Sequence, residues 1–453
     1  MLTPTNPSTG EALAPHASLS ATDIEIALQS ANGAFSQWRA RRYEERAEVL
    51  YAAARAMREH KDALADLMAI EMGKPFKEGV AEVEKSAWCA EYYAQHAAEF
   101  LAKEVLESDA SCSYVQYPPL GVVLGILPWN APVWLALRFL APALMAGNCC
   151  VMKHDPNVPG SAALLTELFH KAGLGDGIMT NLPITTEQVG EVIDHPLVRA
   201  VSFTGSSEAG RKVAARAAAG LKPAVLELGG SDPCIVMADA DLEKAADVVT
   251  LSRMINAGQS CIAAKRIFIE ASVYPAFCAL LLERFEAIKM GDPRSADTAL
   301  GPLARTDLRA QLHRQVGESL ALGANVLTGG ALPDTPGFYY PPTLLADVKP
   351  GMPVFDEETF GPVLAVAPVS GIDEALALAN ATDYGLGASL WTHNAETIDR
   401  ALATLEAGQV AVNGIVKTDP RLPSGGIGRS GYGRELGPHG IREFVNTQQI
   451  WIA

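Results

Sequence analysis

The chain has 453 residues, 49% of them hydrophobic and 19% charged, which is the composition of an ordinary globular protein large enough to bury a sizeable core. Its formal net charge of −16 repels nucleic acid and anionic membrane surfaces, so neither is an expected partner, and an anionic substrate needs a local cation to overcome that field. Seven cysteines, odd in number and without a CxxC pair, argue against a disulfide framework or a zinc site and for a reducing, cytoplasmic compartment.

The opening MLTPTNPSTGEAL has neither the basic region nor the apolar run of a secretory leader. Over 43–70 the residues Leu50, Ala54, Met57, Leu64 and Leu67 recur on one face, which predicts a helix that Gly73-Lys74-Pro75 stops. A second helix is predicted over 76–103, then a strand in SCSYVQYPP ended by paired prolines. LGVVLGIL, CCVMK, AVSFTG and AVLELGG read as short buried strands, with helices such as SAALLTELFHKAG between them. VWLALRFLAPALMAG is too short to span a membrane and carries Arg138 and Pro142, so it reads as a buried helix.

A second alternation begins at CIVM and runs through a helix from Asp241, then RIFIE, PVLAVAPV, SLWT and QVAVN. Strand–helix alternation implies parallel sheets with helices on their faces. The expected fold class is therefore α/β, with two parallel-sheet domains. One comprises residues 1–99 and 120–229, the other 230–429. The leftover segments 100–119 and 430–453 suit a small β bridging element that extends a sheet between subunits.

Several stretches carry possible chemistry. In NAGQSCIAAKR, Cys261 follows Gly258, and its small neighbours leave the sulfur accessible, as a nucleophile needs. An inert packed thiol fits the same stretch. Asn130 in PWN can turn an amide N–H toward an oxyanion, with the backbone N–H of Cys261 as a second donor, or it can be a turn residue. Glu227, in an apolar strand before two glycines, should have a raised pKa suited to activating water, unless it is paired structurally. No GxGxxG follows the first strand. FTGSSEAG instead puts Gly205 and Ser206 between a strand and a helix, where a helix N-terminus can hold a pyrophosphate or simply be capped. Lys153 ends the CCVMK strand within reach of an adenosine ribose.

Together, PWN (128–130), Lys153, FTGS (203–206), ELGG (227–230), GQSC (258–261), EETFGP (357–362) and SGYGRELG (430–437) resemble the aldehyde dehydrogenase superfamily, in order and spacing, over essentially the whole chain. The resemblance implies a cofactor domain, a catalytic domain and a bridging sheet in a homodimer or homotetramer, with no metal. It implies Cys261 as nucleophile, Glu227 as general base and Asn130 as oxyanion donor. Trp129, Lys153, Gly205, Ser206, Gly229, Glu358 and Phe360 fall to the nicotinamide dinucleotide. The implied chemistry is attack of the Cys261 thiolate on an aldehyde, passage through a thiohemiacetal to a thioester, and hydrolysis by Glu227-activated water. Relatives that use CoA instead of water commonly lack this glutamate.

KHDPN, GGSDP and SCIAAKR are similar to a bacterial branch of NAD(P)-dependent succinate semialdehyde dehydrogenases. The resemblance makes Arg138, eight residues after Asn130, a ligand for the substrate carboxylate. The alternative is an arginine paired structurally with an acid. A second substrate arginine of some relatives is Ile255 here, which would pass its part to Arg253, Lys417 or Arg421. PSGG replaces the family's PFGG and puts the hydroxyl of Ser424 at the substrate. Pro156 stands where NAD-preferring relatives carry a glutamate, so use of both NAD and NADP is expected. The rival substrate readings are a broad-range aldehyde dehydrogenase and a different ω-carboxylate semialdehyde, such as glutarate semialdehyde.

Overall fold

A computed structural model of the chain describes residues 1–175 and 177–453. The fold is α/β, as the alternation predicts, with two large, mainly parallel sheets, two small ones and two separate buried apolar clusters among the described residues.

The helix predicted over 43–70 is two helices, Tyr43–Glu59 and Lys61–Met72. His60 breaks it with a φ of −113° and ψ of 17°, and its Nδ1 lies 2.9 Å from the Ala56 carbonyl. The apolar period runs on through the break, which is why the sequence reads as one element. Gly73 then stops the second helix in a left-handed conformation, φ 82°, that few other residues adopt cheaply. The next helix, Phe76–Phe100, is close to its predicted span.

Six strands form the first sheet. In spatial order they are Gly431–Tyr432, Ala224–Glu227, Val198–Thr204, Val122–Leu127, Cys149–His154 and Met179–Asn181. All pair in parallel except the first, which is antiparallel to Ala224–Glu227. Seven strands form the second sheet, with Arg266–Glu270 at its centre between Val363–Val369 and Pro233–Val236. The chain crosses from one sheet to the other in the few residues between Glu227 and Pro233. Carboxyl ends of parallel strands and crossings of this kind are where such folds make clefts.

Helix Pro132–Ala146 leaves the end of strand Val122–Leu127 and is buried along its whole length. It lies so close to that strand that a Cβ on Gly125 would come within 2.5 Å of the Phe139 ring. The glycine therefore sets how deep the helix sits, and with it the position of every side chain the helix sends into the cleft.

The third sheet is smaller than the segments 100–119 and 430–453 suggest. It holds Glu104–Val105, Cys112–Gln116 and Gln448–Ile452, all antiparallel. Tyr432 and its neighbour join the first sheet instead, and Leu436, Ile441, Phe444 and Val445 are buried in the first apolar cluster. Burial of those four apolar side chains draws the start of the C-terminal segment away from the bridging strands. Among the described residues no helix is long and apolar enough to cross a membrane.

Candidate active site

The Cys261 loop is held by contacts from distant parts of the chain. Asn256, Ala257 and Gly258 are all left-handed, with φ of 56°, 53° and 73°. The two non-glycine residues each carry a strain of about 1–3 kcal/mol, which the surroundings must offset. Several bonds do so. Glu78 accepts the Asn256 N–H at 2.8 Å, and Asn256 Nδ2 donates to the carbonyls of Asn130 at 2.7 Å and Gln259 at 3.0 Å. Arg253, fully buried, donates to the Gly258 carbonyl and, at 3.4 Å, to that of Ala264. Lys265 donates to the Cys261 carbonyl at 2.6 Å. A side chain at Gly258 would collide with the Gly361 carbonyl.

Cys261 itself is partly open. Of the other six cysteines, five are buried and Cys112 is exposed. Burial pushes the Cys261 thiol up to about 11, although the charges of Arg138 and Lys265 pull it back. Asn130 faces this loop and spends one amide hydrogen on the Gln259 carbonyl at 3.0 Å, leaving its second for a ligand. The Cys261 backbone N–H donates to no protein oxygen among the described residues.

Glu227 ends its strand buried, 3% exposed. Its Oε2 accepts from Arg138 Nη2 at 2.9 Å, and its Oε1 has no partner among the described residues. Burial pushes the carboxyl up to about 7, with Arg138 opposing and Glu435 adding to the rise. Gly425 makes room, since a Cβ there would sit 2.8 Å from Oε1.

Arg138 is held more tightly than a free substrate clamp would be. Its Nε lies 2.5 Å from Glu435 Oε2, Nη2 bonds Glu227, and Ser424 Oγ accepts from Nη2 at 3.4 Å. Both carboxylates and the guanidinium are almost fully buried. This is the paired arrangement the sequence left as the alternative, with two acids instead of one. The stand-ins for the missing second arginine do not converge here. Arg253 braces the cysteine loop, Lys417 is exposed, and Arg421 is exposed and bonded to Asp419 at 2.8 and 2.7 Å. Glu435 is the main residue missed by sequence reading. It lies inside the SGYGRELG motif, but nothing local says which cation it meets.

The carboxyl ends of strands Val122–Leu127, Cys149–His154 and Val198–Thr204, which are neighbours in the sheet, bring Trp129, Lys153 and the Gly205–Ser206 turn to one sheet edge. Lys153 is 5% exposed and makes no ion pair among the described residues; burial lowers its pKa. Ser206 caps helix Ser207–Ala219, accepting the Ala209 N–H at 3.3 Å, and Gly205 has no room for a Cβ against the Phe203 ring, 2.7 Å away. Trp129 meets the Phe360 ring edge-on with centroids 5.9 Å apart. Glu358 accepts the Gly230 N–H at 3.0 Å, and a side chain on Gly229 would strike its carboxylate. A buried lysine without an ion pair among the described residues, at the same sheet edge as a helix N-terminus, with aromatic faces and a carboxylate in the chain nearby, suits an anionic dinucleotide that also carries ribose hydroxyls.

The model for the aldehyde dehydrogenase family matches residues 2–450. The chain is 45% identical over 448 residues to a Synechocystis sp. protein named "Probable succinate-semialdehyde dehydrogenase (NADP(+))", covering 99% of both chains. It is 44% identical over 452 residues to succinate-semialdehyde dehydrogenase (NADP(+)) 1 of Mycobacterium ulcerans, again covering 99% of both. Its fold superposes with a TM-score of 0.97 and 36% identity on a succinic semialdehyde dehydrogenase from Streptococcus pyogenes solved in complex with NADP+, covering 100% of both chains. The chain belongs to the aldehyde dehydrogenase family.

Proposed function

We propose that this protein oxidises succinate semialdehyde to succinate with NAD or NADP. The observation that carries the reading is the grouping of Asn130, bonded to Gln259 in the Cys261 loop, with Glu227, whose partner Arg138 also acts on the Cys261 thiol. The names of the relatives supply the substrate class.

In this reading the Cys261 thiol releases its proton to solvent and the thiolate attacks the aldehyde carbon. The second Asn130 amide hydrogen and the free Cys261 N–H stabilise the oxyanion. Lys153, the Gly205–Ser206 turn, Trp129, Gly229, Glu358 and Phe360 would hold the dinucleotide, which would supply the hydride acceptor that turns the Cys261 adduct into a thioester. Glu227, poised near neutrality, takes a proton from water through its unpartnered Oε1, and that water releases the acid. Arg138 holds the other carboxylate oxygen and so fixes the direction of the base. Ser424 lies beside it, on the substrate side.

Residues 1–99 and 120–229 form the cofactor domain and 230–429 the catalytic one. The three-stranded sheet of 104–116 and 448–452 joins copies in a homodimer or homotetramer. Its exposed apolar residues, Val105, Leu106, Trp451 and Ile452, support that role, since apolar edges of this kind gain from being covered. Seven unpaired thiols support a cytoplasmic home.

The test is reduced-cofactor formation with succinate semialdehyde and with hexanal, each with NAD and with NADP. A clear preference for the semialdehyde is expected, with the two cofactors within about a hundredfold in kcat/KM, because Pro156 offers no carboxylate against a 2′-phosphate. Equal or better turnover of hexanal would support the second reading, a broad-range aldehyde dehydrogenase, which the double pairing of Arg138 favours. Asn130→Ala should lower kcat by about 100- to 1,000-fold with little change in cofactor KM. A fall of less than about fivefold would remove Asn130 from the oxyanion site.

A further inference from the structure

The family resemblance gives the substrate carboxylate to Arg138, but the charge there is already spent. One guanidinium faces two carboxylates, Glu227 and Glu435, within 3 Å. With both ionised the trio is net negative; Nη2 donates to Glu227 and Ser424, Nε is ion-paired with Glu435 without a hydrogen bond, and Nη1 makes no hydrogen bond among the described residues. A third carboxylate arriving at this group would meet a negative field unless a second cation stands nearby.

Lys85 is such a cation. It lies on helix Phe76–Phe100, which runs alongside helix Pro132–Ala146. Glu82, one turn before it, accepts the N–H groups of Val133 at 2.9 Å and Trp134 at 3.0 Å. The Cys89 sulfur, one turn after it, lies 3.9 Å from the Leu137 carbonyl. Lys85 is thereby fixed between Trp134 and Arg138. Its Nζ sits 4.2 Å over the Trp134 ring and donates to Thr418 Oγ1 at 2.8 Å. Thr418 belongs to the same stretch as Ser424, whose hydroxyl touches Arg138. Lys85 makes no ion pair among the described residues although it is partly buried, whereas the buried lysines Lys74 and Lys265 face carboxylates. A partly dehydrated ammonium held only by a hydroxyl and an aromatic face is a site prepared for an anion. The Thr418 hydroxyl accepts from Lys85 and keeps its own hydrogen to donate.

We propose that Lys85, with Thr418, is the specificity-determining site that takes the distal carboxylate of the aldehyde substrate; this rests on the ω-carboxylate reading above. Arg138 adds at most Nη1 and otherwise serves Glu227.

Several groups surround the ammonium. Glu82 and Cys89 lie on its own helix, Arg138 on the neighbouring one, and Asp419, itself bonded to Arg421, on the third segment. Burial, then repulsion from Arg138, brings the Lys85 pKa down to about 8. The grip on a carboxylate should therefore weaken as pH rises through 8. Titration of Cys261 affects every aldehyde alike and cancels in a ratio of substrates, whereas the Glu227 charge, which forms near pH 7, acts on the carboxylate substrate below pH 8 and is the same in wild type and in Lys85→Arg.

The experiment compares kcat/KM for succinate semialdehyde with that for butanal, in wild type, Lys85→Met and Lys85→Arg, from pH 6.5 to 9.5. The wild-type ratio should fall above pH 8. Lys85→Met should lower the ratio about 10- to 100-fold, through KM for the semialdehyde. Lys85→Arg should keep much of the preference and lose its alkaline decline, since a guanidinium does not titrate there. This variant also decides the matter if Lys85→Met does not fold. A preference kept within twofold in Lys85→Met, or an alkaline decline kept in Lys85→Arg, overturns the assignment to Lys85 alone. A wild type with no preference for the semialdehyde overturns the substrate reading, and this one with it.

Discussion

Replacing Cys261 with alanine is expected to lower kcat by at least about 10⁴-fold, the scale on which removal of a covalent nucleophile is felt. The substitution deletes one sulfur and leaves the loop that carries it intact, because the contacts that hold the loop come from Glu78, Asn130, Arg253 and Lys265. Thermal stability and cofactor binding should therefore change little. Titration of cofactor fluorescence beside a steady-state assay separates the two effects. Residual turnover above about one part in a hundred would mean that another group forms the bond to substrate.

Arg138→Met should be the most damaging single change to stability. Methionine fills most of the space but leaves Glu227 and Glu435 buried against each other without a cation. Breaking a buried pair in this way costs about 3–5 kcal/mol. The pH dependence has a definite sign. Glu227, raised from the usual 4.5 to about 7, is more at home in the fold when protonated. The stability tied to it is full below about pH 4 and is lost as pH rises through 7. Arg138 opposes that rise, so removing it pushes the carboxyl up further. The variant should trail wild type by much more at pH 8 than at pH 5 in urea melts. Equal deficits at the two pH values would mean that the arginine acts by packing alone. Activity should fall as well, because Glu227 would lose the contact that aims it.

The sequence carried the α/β class and the main strands because apolar runs and helical periods are local signals. The break at His60 was hidden because the buried stripe continues through it. The split of the C-terminal segment depends on where Leu436, Ile441 and Phe444 are buried, which no local pattern states. At the site, short motifs point to Cys261, Glu227 and Asn130 as candidates, two of them in loops and Glu227 at the end of a strand. The ion-pair network was not legible. Arg138 and Glu227 are 89 positions apart, and Glu435 comes later still. Lys85 escaped notice for a similar reason, as a lysine among Glu82, Glu84 and Lys61 looks like part of a solvated face until Trp134 and Thr418 close over it.

The half-buried setting of Cys261 has a consequence for the lifetime of the protein. Peroxide and stray electrophiles react with thiolate. Dehydration of the sulfur raises its pKa above the usual thiol value, so the idle enzyme presents them with less thiolate than an ordinary exposed cysteine does. The shift that makes the nucleophile slow to ionise also makes it slow to oxidise between turnovers.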